Sequence, residues 1–273
     1  MAGKHKKGAR AMKIGIYQGP PLGGDAGLQS AQDISAAFHT LACTLKACAL
    51  AGAEMVVFPE LFLPGYNQPQ LHPRMAQPQG GTWERQFAQL AAEHQCGLVI
   101  GWAELAGADI YNAASAYGPD GEKLAHYRKI QLFGPQEKAV FTPGDRYASF
   151  HFRGHHIGLL ICYDIEFAQH AWALKARGVD LVLVPTANPA GFENVSDLIV
   201  PARAAENGLA VAYANYCGTE GNLRYGGGSV IVDANGASLA RAGQGPALLI
   251  ADLGGQAPGL STQHADFRAI TPD

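Results

Sequence analysis

The chain has 273 residues, 48% of them hydrophobic and 16% charged, with a formal net charge of −3. That length can bury a large core and suits one layered α/β domain, and that charge balance calls for neither nucleic acid nor a membrane surface as partner. The five cysteines (Cys43, Cys48, Cys96, Cys162, Cys217) are scattered, odd in number and without CxxC spacing, which argues against a disulfide scaffold or zinc knuckle and for reduced, cytoplasmic thiols.

Residues 1–11 are basic, but no apolar run follows them, so they read as a tail or expression leader rather than a secretory signal, with order from Met12. No apolar segment approaches the length of a membrane span. Residues 13–18 predict a first strand. Residues 29–50 carry apolar positions at helical spacing with few breakers, which predicts a long amphipathic helix. A short buried strand at 55–58 ends in the loop Pro59-Glu60-Leu61-Phe62-Leu63-Pro64-Gly65-Tyr66. A helix over about 82–94 and strands at 97–102 and 111–117 follow. A hairpin through Gly118-Pro119-Asp120-Gly121 then leads to a strand at 123–127 that runs into Arg128-Lys129.

Strands at 147–152 and 155–161 pair around Arg153-Gly154, and a helix covers 167–177. A buried strand at 180–184 ends at Pro185-Thr186-Ala187-Asn188. A helix over 196–207, a strand at 209–215 and strands near 228–232, 237–241 and 247–252 complete the core, with Asp233-Ala234-Asn235-Gly236 as a hairpin turn. Residues 254–273 begin Gly/Pro-rich and polar, a tail that packs on a partner or stays mobile. Helices and strands alternate in two runs with no linker or repeat between them. One layered α/β domain over 12–253 follows, helices outside and sheets inside.

Three strand-end loops hold residues whose chemistry would be wasted in a core. Cys162 ends the apolar run Ile157-Gly158-Leu159-Leu160-Ile161 and precedes a helix-prone segment. Free N–H groups and the helix dipole there would favour thiolate over thiol and supply donors to an oxyanion. Strand, sharp turn, nucleophile and helix make an elbow, here with cysteine instead of serine; a buried cysteine used as a small hydrophobe is the other reading. Glu60 follows Val56-Val57-Phe58-Pro59, where apolar neighbours should raise its pKa and suit it to general-base work. Lys129 lies before an apolar-aromatic run, where an ammonium needs a partner. A base, a cation and a thiol suit acyl transfer, although a lone Glu or Lys at a strand end is more often a solvated loop residue. The other four cysteines are accounted for by packing. His151, His155 and His156 straddle a hairpin and read as surface or edge-strand residues, not zinc ligands. Arg203 and Glu206, at helical i, i+3 spacing, read first as a structural ion pair.

FPELFLPGY, YRKIQLFGPQEKAVFTPGD and GLLICYDIEF, together with PTAN and PARAAEN, resemble the nitrilase superfamily of carbon–nitrogen hydrolases in order and spacing from about Met12 to Asp252. The resemblance implies a four-layer α-β-β-α sandwich, dimerised through helices, with no metal or organic cofactor. It implies Glu60 as general base, Lys129 as oxyanion stabiliser, Cys162 as nucleophile and Glu137 as a second, positioning glutamate. The Tyr163 N–H would complete the oxyanion hole. Tyr66, Tyr163, Glu166 and Asn188 are the expected substrate-binding residues. Tyr163-Asp164 after the cysteine is similar to the amidase branches, with CYDIEF and YANYCG close to 5-aminopentanamidase; Ala168-Gln169 departs from the Pro-Glu common there. The expected function is therefore an amidase releasing ammonia from a small linear amide. A nitrilase or N-carbamoyl hydrolase on the same triad and a non-catalytic binding protein on this fold are the alternatives. Carboxylate-binding relatives place arginine just after the cysteine, whereas this chain has Ile165 and Glu166, so neutral or amino-bearing amides are expected to be preferred.

Overall fold

Two six-stranded sheets lie face to face with helices on their outer surfaces, in a computed structural model that describes residues 12–254 and 261–269. The first sheet holds β1 (Lys13–Gln18), β2 (Met55–Val57), β3 (Gly97–Ala106), β4 (Asp109–Tyr117), β5 (Lys123–Arg128) and β14 (Ala247–Asp252), in the order β14-β1-β2-β3-β4-β5. The second holds β6 (Ala148–Phe152), β7 (His155–Leu159), β8 (Leu181–Pro185), β9 (Ala210–Ala214), β12 (Val230–Val232) and β13 (Ser238–Arg241), in the order β13-β12-β9-β8-β7-β6. Both share one plan: β1-β2-β3 and β7-β8-β9 are parallel and every flanking pair is antiparallel. A small hairpin, β10 (Thr219–Glu220) with β11 (Leu223–Arg224), stands outside both sheets.

Side-chain alternation along β2 sorts the layers. Met55 and Val57 pack between the sheets with Ile14, Ile16, Val99, Leu159 and Leu183. Val56 and Phe58 face the helix layer, against Leu41 and Leu45 of α1 (Ala31–Leu50) and Phe87 of α3 (Thr82–His94). Each such fully buried side chain contributes about 1.5–3 kcal/mol. Ser30 and Asp33 cap each other reciprocally and start α1 at Ala31, two residues later than the apolar spacing predicts. A short α2 (His72–Met75) lies between β2 and α3, and α5 (Ala168–Ala176) and α6 (Val200–Asn207) cover the second sheet.

Several expectations change. Strands β3 and β4 run on to meet at Gly107, where the polar residues had hidden the pattern; buried Glu104 is satisfied by Arg128 (2.6 Å) and His126 (2.8 Å). The segment after Lys129 forms α4 (Gly134–Val140). The helix expected at 196–207 opens as a wide π-type turn, Val195–Ile199, before α6. Strand β7 stops at Leu159, and a tight 3-10 turn, Cys162–Glu166, stands between it and α5. His155 is buried beside Asp180 (3.2 Å), not on a surface, whereas His151 and His156 do stack across the hairpin. Cys43 is exposed, so packing does not account for it. The described part of the tail packs on its own chain, His264 of α7 (Gln263–Asp266) stacking on Trp172 at 3.6 Å. The leader at 1–11 and tail residues 255–260 and 270–273 lie outside the described residues.

Candidate active site

Glu60, Lys129 and Cys162 follow β2, β5 and β7, and the sandwich brings all three together. Glu60 is fully buried, and its Oε1 accepts from Lys129 Nζ (2.6 Å) and Asn112 Nδ2 (2.7 Å). Its Oε2 has no hydrogen-bond partner among the described residues. The loop is held tightly behind it: Leu61 has φ +46°, and a Cβ on Gly101 would stand 2.5 Å from the Leu61 nitrogen. Only glycine fits there. Lys129 Nζ donates also to Glu137 Oε1 (2.8 Å), which accepts in addition from the Tyr66 hydroxyl (2.7 Å); Glu137 Oε2 takes the Phe133 N–H (3.0 Å).

Two carboxylates thus share one ammonium in a dry pocket. Burial pushes the Glu60 carboxyl up to about 7, against the pull of Lys129 and with the repulsion of Glu137. Burial alone would lower Lys129, but Glu137 and Glu60 overrule it and hold the ammonium well above its ordinary value.

Cys162 sits at φ +45°, a left-handed position that a cysteine adopts only when its surroundings enforce it. Asp164 provides the enforcement. Fully buried, it accepts from the Ile161 N–H (3.0 Å), the Gln131 N–H (2.7 Å) and the Tyr127 hydroxyl (2.8 Å). Arg203 pairs with Glu206 (3.0 Å) as expected and also donates to the carbonyls of Ile165 (3.1 Å) and Glu166 (2.7 Å), clamping the turn from α6. The expected bias of the helix start toward thiolate is outweighed. Burial, and then the nearby Glu60 charge, raise the Cys162 thiol well above its ordinary value, despite Lys129 and an Ala187 N–H directed at the sulfur. Burial and the facing carboxylate outweigh the helix dipole, which begins only at α5.

The four predicted substrate contacts divide. Tyr66 is tied to Glu137, and Tyr163 is half-buried, edge-on to Phe133 (5.2 Å) and Phe167 (4.9 Å). Asn188 spends its side-chain N–H on the Phe192 carbonyl (2.9 Å) and its backbone N–H on Asn215 (2.8 Å). Glu166 is half-buried; burial raises its pKa, while Lys129 and Arg203 hold it down. Residues that sequence reasoning missed hold the site in place: Asn112 on Glu60, Asp164 under the elbow, and buried Glu220, which accepts from the Asn67 N–H (2.8 Å) and so anchors the Tyr66 loop. Among the described residues no group of histidines, cysteines and carboxylates is arranged to hold a metal ion, and no helix is long and apolar enough to cross a membrane.

Residues 13–256 match the carbon–nitrogen hydrolase family profile. The chain belongs to the carbon–nitrogen hydrolase family. It is 36% identical to a hydrolase of Pseudomonas protegens, over 96% of this chain and 89% of that one. It is 34% identical to an (R)-stereoselective amidase of a Pseudomonas species, over 76% of each. Among solved structures, a mutant of the Nesterenkonia amidase with acrylamide added at its active-site cysteine superimposes with TM-score 0.82 at 34% identity, covering 89% of this chain and 93% of that one. The four-layer sandwich is thus the fold of this family, and the relatives include amidases. They do not single out 5-aminopentanamidase.

Proposed function

We propose that this carbon–nitrogen hydrolase is an amidase that converts a small linear carboxamide, neutral or amino-bearing, to carboxylate and ammonia through a thioester on Cys162. The observation that carries the reading is the unspent Glu60 Oε2, buried in a cluster with Lys129 and close enough to the Cys162 thiol to raise its pKa. Glu60 takes the thiol proton as the sulfur attacks the amide carbon. Lys129 and the Tyr163 N–H receive the charge developing on oxygen. Glu60 then gives its proton to the amide nitrogen, the C–N bond breaks, and ammonia leaves. Water enters, yields one proton to Glu60 and attacks the thioester; the C–S bond breaks, Glu60 returns that proton to sulfur, and the carboxylic acid departs and ionises in solvent. Glu137, braced by Tyr66, fixes Lys129 throughout. Tyr163, Glu166 and Asn188 border the acyl group. The working form is a homodimer in contact through α5 and the 196–207 segment, where Leu198 is 68% exposed.

The test is ammonia release from a panel of amides by wild type and Cys162→Ala. The variant should be inactive on every amide yet folded, and wild type given hydroxylamine should form a hydroxamate, because hydroxylamine and water compete for the acyl-enzyme. Near-normal turnover by Cys162→Ala would end the reading.

A further inference from the structure

Tyr66 braces Glu137, and the peptide groups on both sides of Tyr66 are gripped by side chains from outside its loop. On one side Glu220 holds the Asn67 N–H. On the other, the Gly65 carbonyl accepts from His72 Nε2 at 2.8 Å. Gly65 has φ +119°, and a Cβ there would strike the Glu220 carboxylate, so the crossing is tightly packed. His72 opens α2 and is 1% exposed. The chain beyond it is fastened to the first sheet, the Gln77 N–H donating to the Ala103 carbonyl of β3 (3.1 Å). The His72 ring packs at 4.9 Å on Phe141, which caps the end of α4, and the Phe141 N–H donates to the Glu137 carbonyl (2.8 Å). One imidazole therefore touches both the loop that carries Tyr66 and the end of the helix that carries Glu137.

The choice of ring is informative. A carbonyl can only accept, so Nε2 carries the proton and Nδ1 is bare. Nδ1 is buried with no hydrogen-bond partner among the described residues. Burial pushes the His72 pKa down to about 4, against the Gly65 carbonyl and the Glu137 charge, so the ring is neutral at neutral pH. A phenylalanine could pack on Phe141 in its place and would bury no orphaned nitrogen. What it could not supply is the N–H for Gly65, and a buried carbonyl left without a donor is costly.

We propose that His72 is a positioning residue for the reaction: as the neutral Nε2–H tautomer it ties the Tyr66 loop to the Glu137 helix and so sets Glu137 on Lys129. The proposal rests on the amidase reading, in which Lys129 meets the charge that develops on the substrate oxygen. The effect of His72 passes through Gly65 to the Tyr66 hydroxyl. When that bond is lost, Tyr66 shifts, Glu137 has one donor fewer, and Lys129 is held less well where the charge develops. Such a change lowers kcat and leaves KM nearly as it was.

The experiment uses the full chain. His72→Phe keeps a ring against Phe141 and loses the donor; His72→Asn keeps an amide too short to reach Gly65; His72→Gln carries an amide N–H out to the place of Nε2. His72→Phe and His72→Asn should each lower kcat about tenfold with KM within about twofold, and His72→Gln should recover to within about threefold of wild type. In a Tyr66→Phe background, His72→Phe should lower kcat by less than about a further twofold, because both changes act through one hydroxyl. Nitrogen NMR of the wild-type imidazole at pH 7 should show Nε2 protonated and Nδ1 bare, a readout that needs no turnover. Wild-type kcat in folded His72→Phe or His72→Asn, no recovery in His72→Gln, losses that multiply to about a hundredfold in the double variant, or an Nδ1–H tautomer would each overturn the proposal. Ammonia from no amide in wild type, with the Nε2–H tautomer present, would sink the amidase reading and leave the tie between loop and helix standing.

Discussion

Glu60 should make this protein less stable and more active over the same pH window. Its carboxyl rises from 4.5 to about 7 on folding because it is fully buried and shares Lys129 with Glu137. Between those values the unfolded chain has released the proton and the folded chain still holds it. Stability therefore falls as pH rises from about 4.5 to 7 and levels off above. At 1.36 kcal/mol per pKa unit the loss is about 3 kcal/mol. Other carboxylates oppose it: Glu104, lowered to about 2 chiefly by Arg128 and His126 against the effect of burial, adds stability as pH rises from about 2 to 4.5. The measurement is consequently a difference, urea unfolding of wild type minus Glu60→Gln at pH 4.5, 5.5, 6.5 and 7.5. The wild-type advantage should shrink by about 3 kcal/mol across the series. Over the same range kcat/KM should rise about tenfold per pH unit and reach a plateau above about 7, since only ionised Glu60 can accept the thiol proton. A stability difference flat with pH, or full activity at pH 5, would refute the buried-base account.

Asp164→Asn would set an amide N–H₂ against the Gln131 N–H or the Ile161 N–H and Tyr127 hydroxyl, so it should cost about 2 kcal/mol in urea unfolding; a change under about 0.5 kcal/mol would show that the elbow does not depend on it. Tyr66→Phe removes one charge-assisted donor from Glu137 and should lower kcat/KM about tenfold with little change in Tm. If Glu166 faces the acyl group, a monoamide of glutaric acid should be disfavoured against pentanamide and 5-aminopentanamide by roughly 2–5 kcal/mol; wild type preferring the carboxylate would refute this, and Glu166→Gln should relax the bias. Light scattering at micromolar concentration should return twice the chain mass, and a monomer would contradict the homodimer.

How much of this was legible in the sequence depended on whether a residue's role was local. The elbow at Cys162, the raised Glu60 and the two alternating runs follow from short apolar strands ending in polar loops, a signal carried within ten residues. Asn112 could not be found that way. It sits mid-strand in β4, and its bond to Glu60 exists only because β4 lies between β3 and β5 and sets Asn112 beside Lys129, just past the end of β5. Glu220 is similarly silent: a lone acid in a glycine-rich turn reads as solvated, yet the β10–β11 hairpin folds it into the interior against Asn67 and Tyr225. The thiolate expectation failed for a related reason. A dipole is visible along the chain, whereas desolvation and a facing carboxylate arise from residues about a hundred positions apart.

In the proposed mechanism desolvation favours the thiol form of Cys162 before substrate binds. Glu60 and Lys129 come from loops of the first sheet and Cys162 and Ala187 from the second, and the Glu60 N–H reaches the Thr186 carbonyl (3.3 Å) across the gap. The cluster exists only when the sandwich has closed and expelled water. In water Glu60 would remain near 4.5 and be too weak a base for a thiol; the closed site lifts it to about 7 and raises the thiol as well, which stays the weaker acid. Proton transfer therefore stays uphill until an amide carbon accepts the sulfur's electrons and Lys129 receives the new charge on oxygen. Under the proposed mechanism a cysteine held in this way reacts more slowly with chance electrophiles than a thiolate, which is the reactive form, and gains nucleophilicity as the carbonyl group arrives.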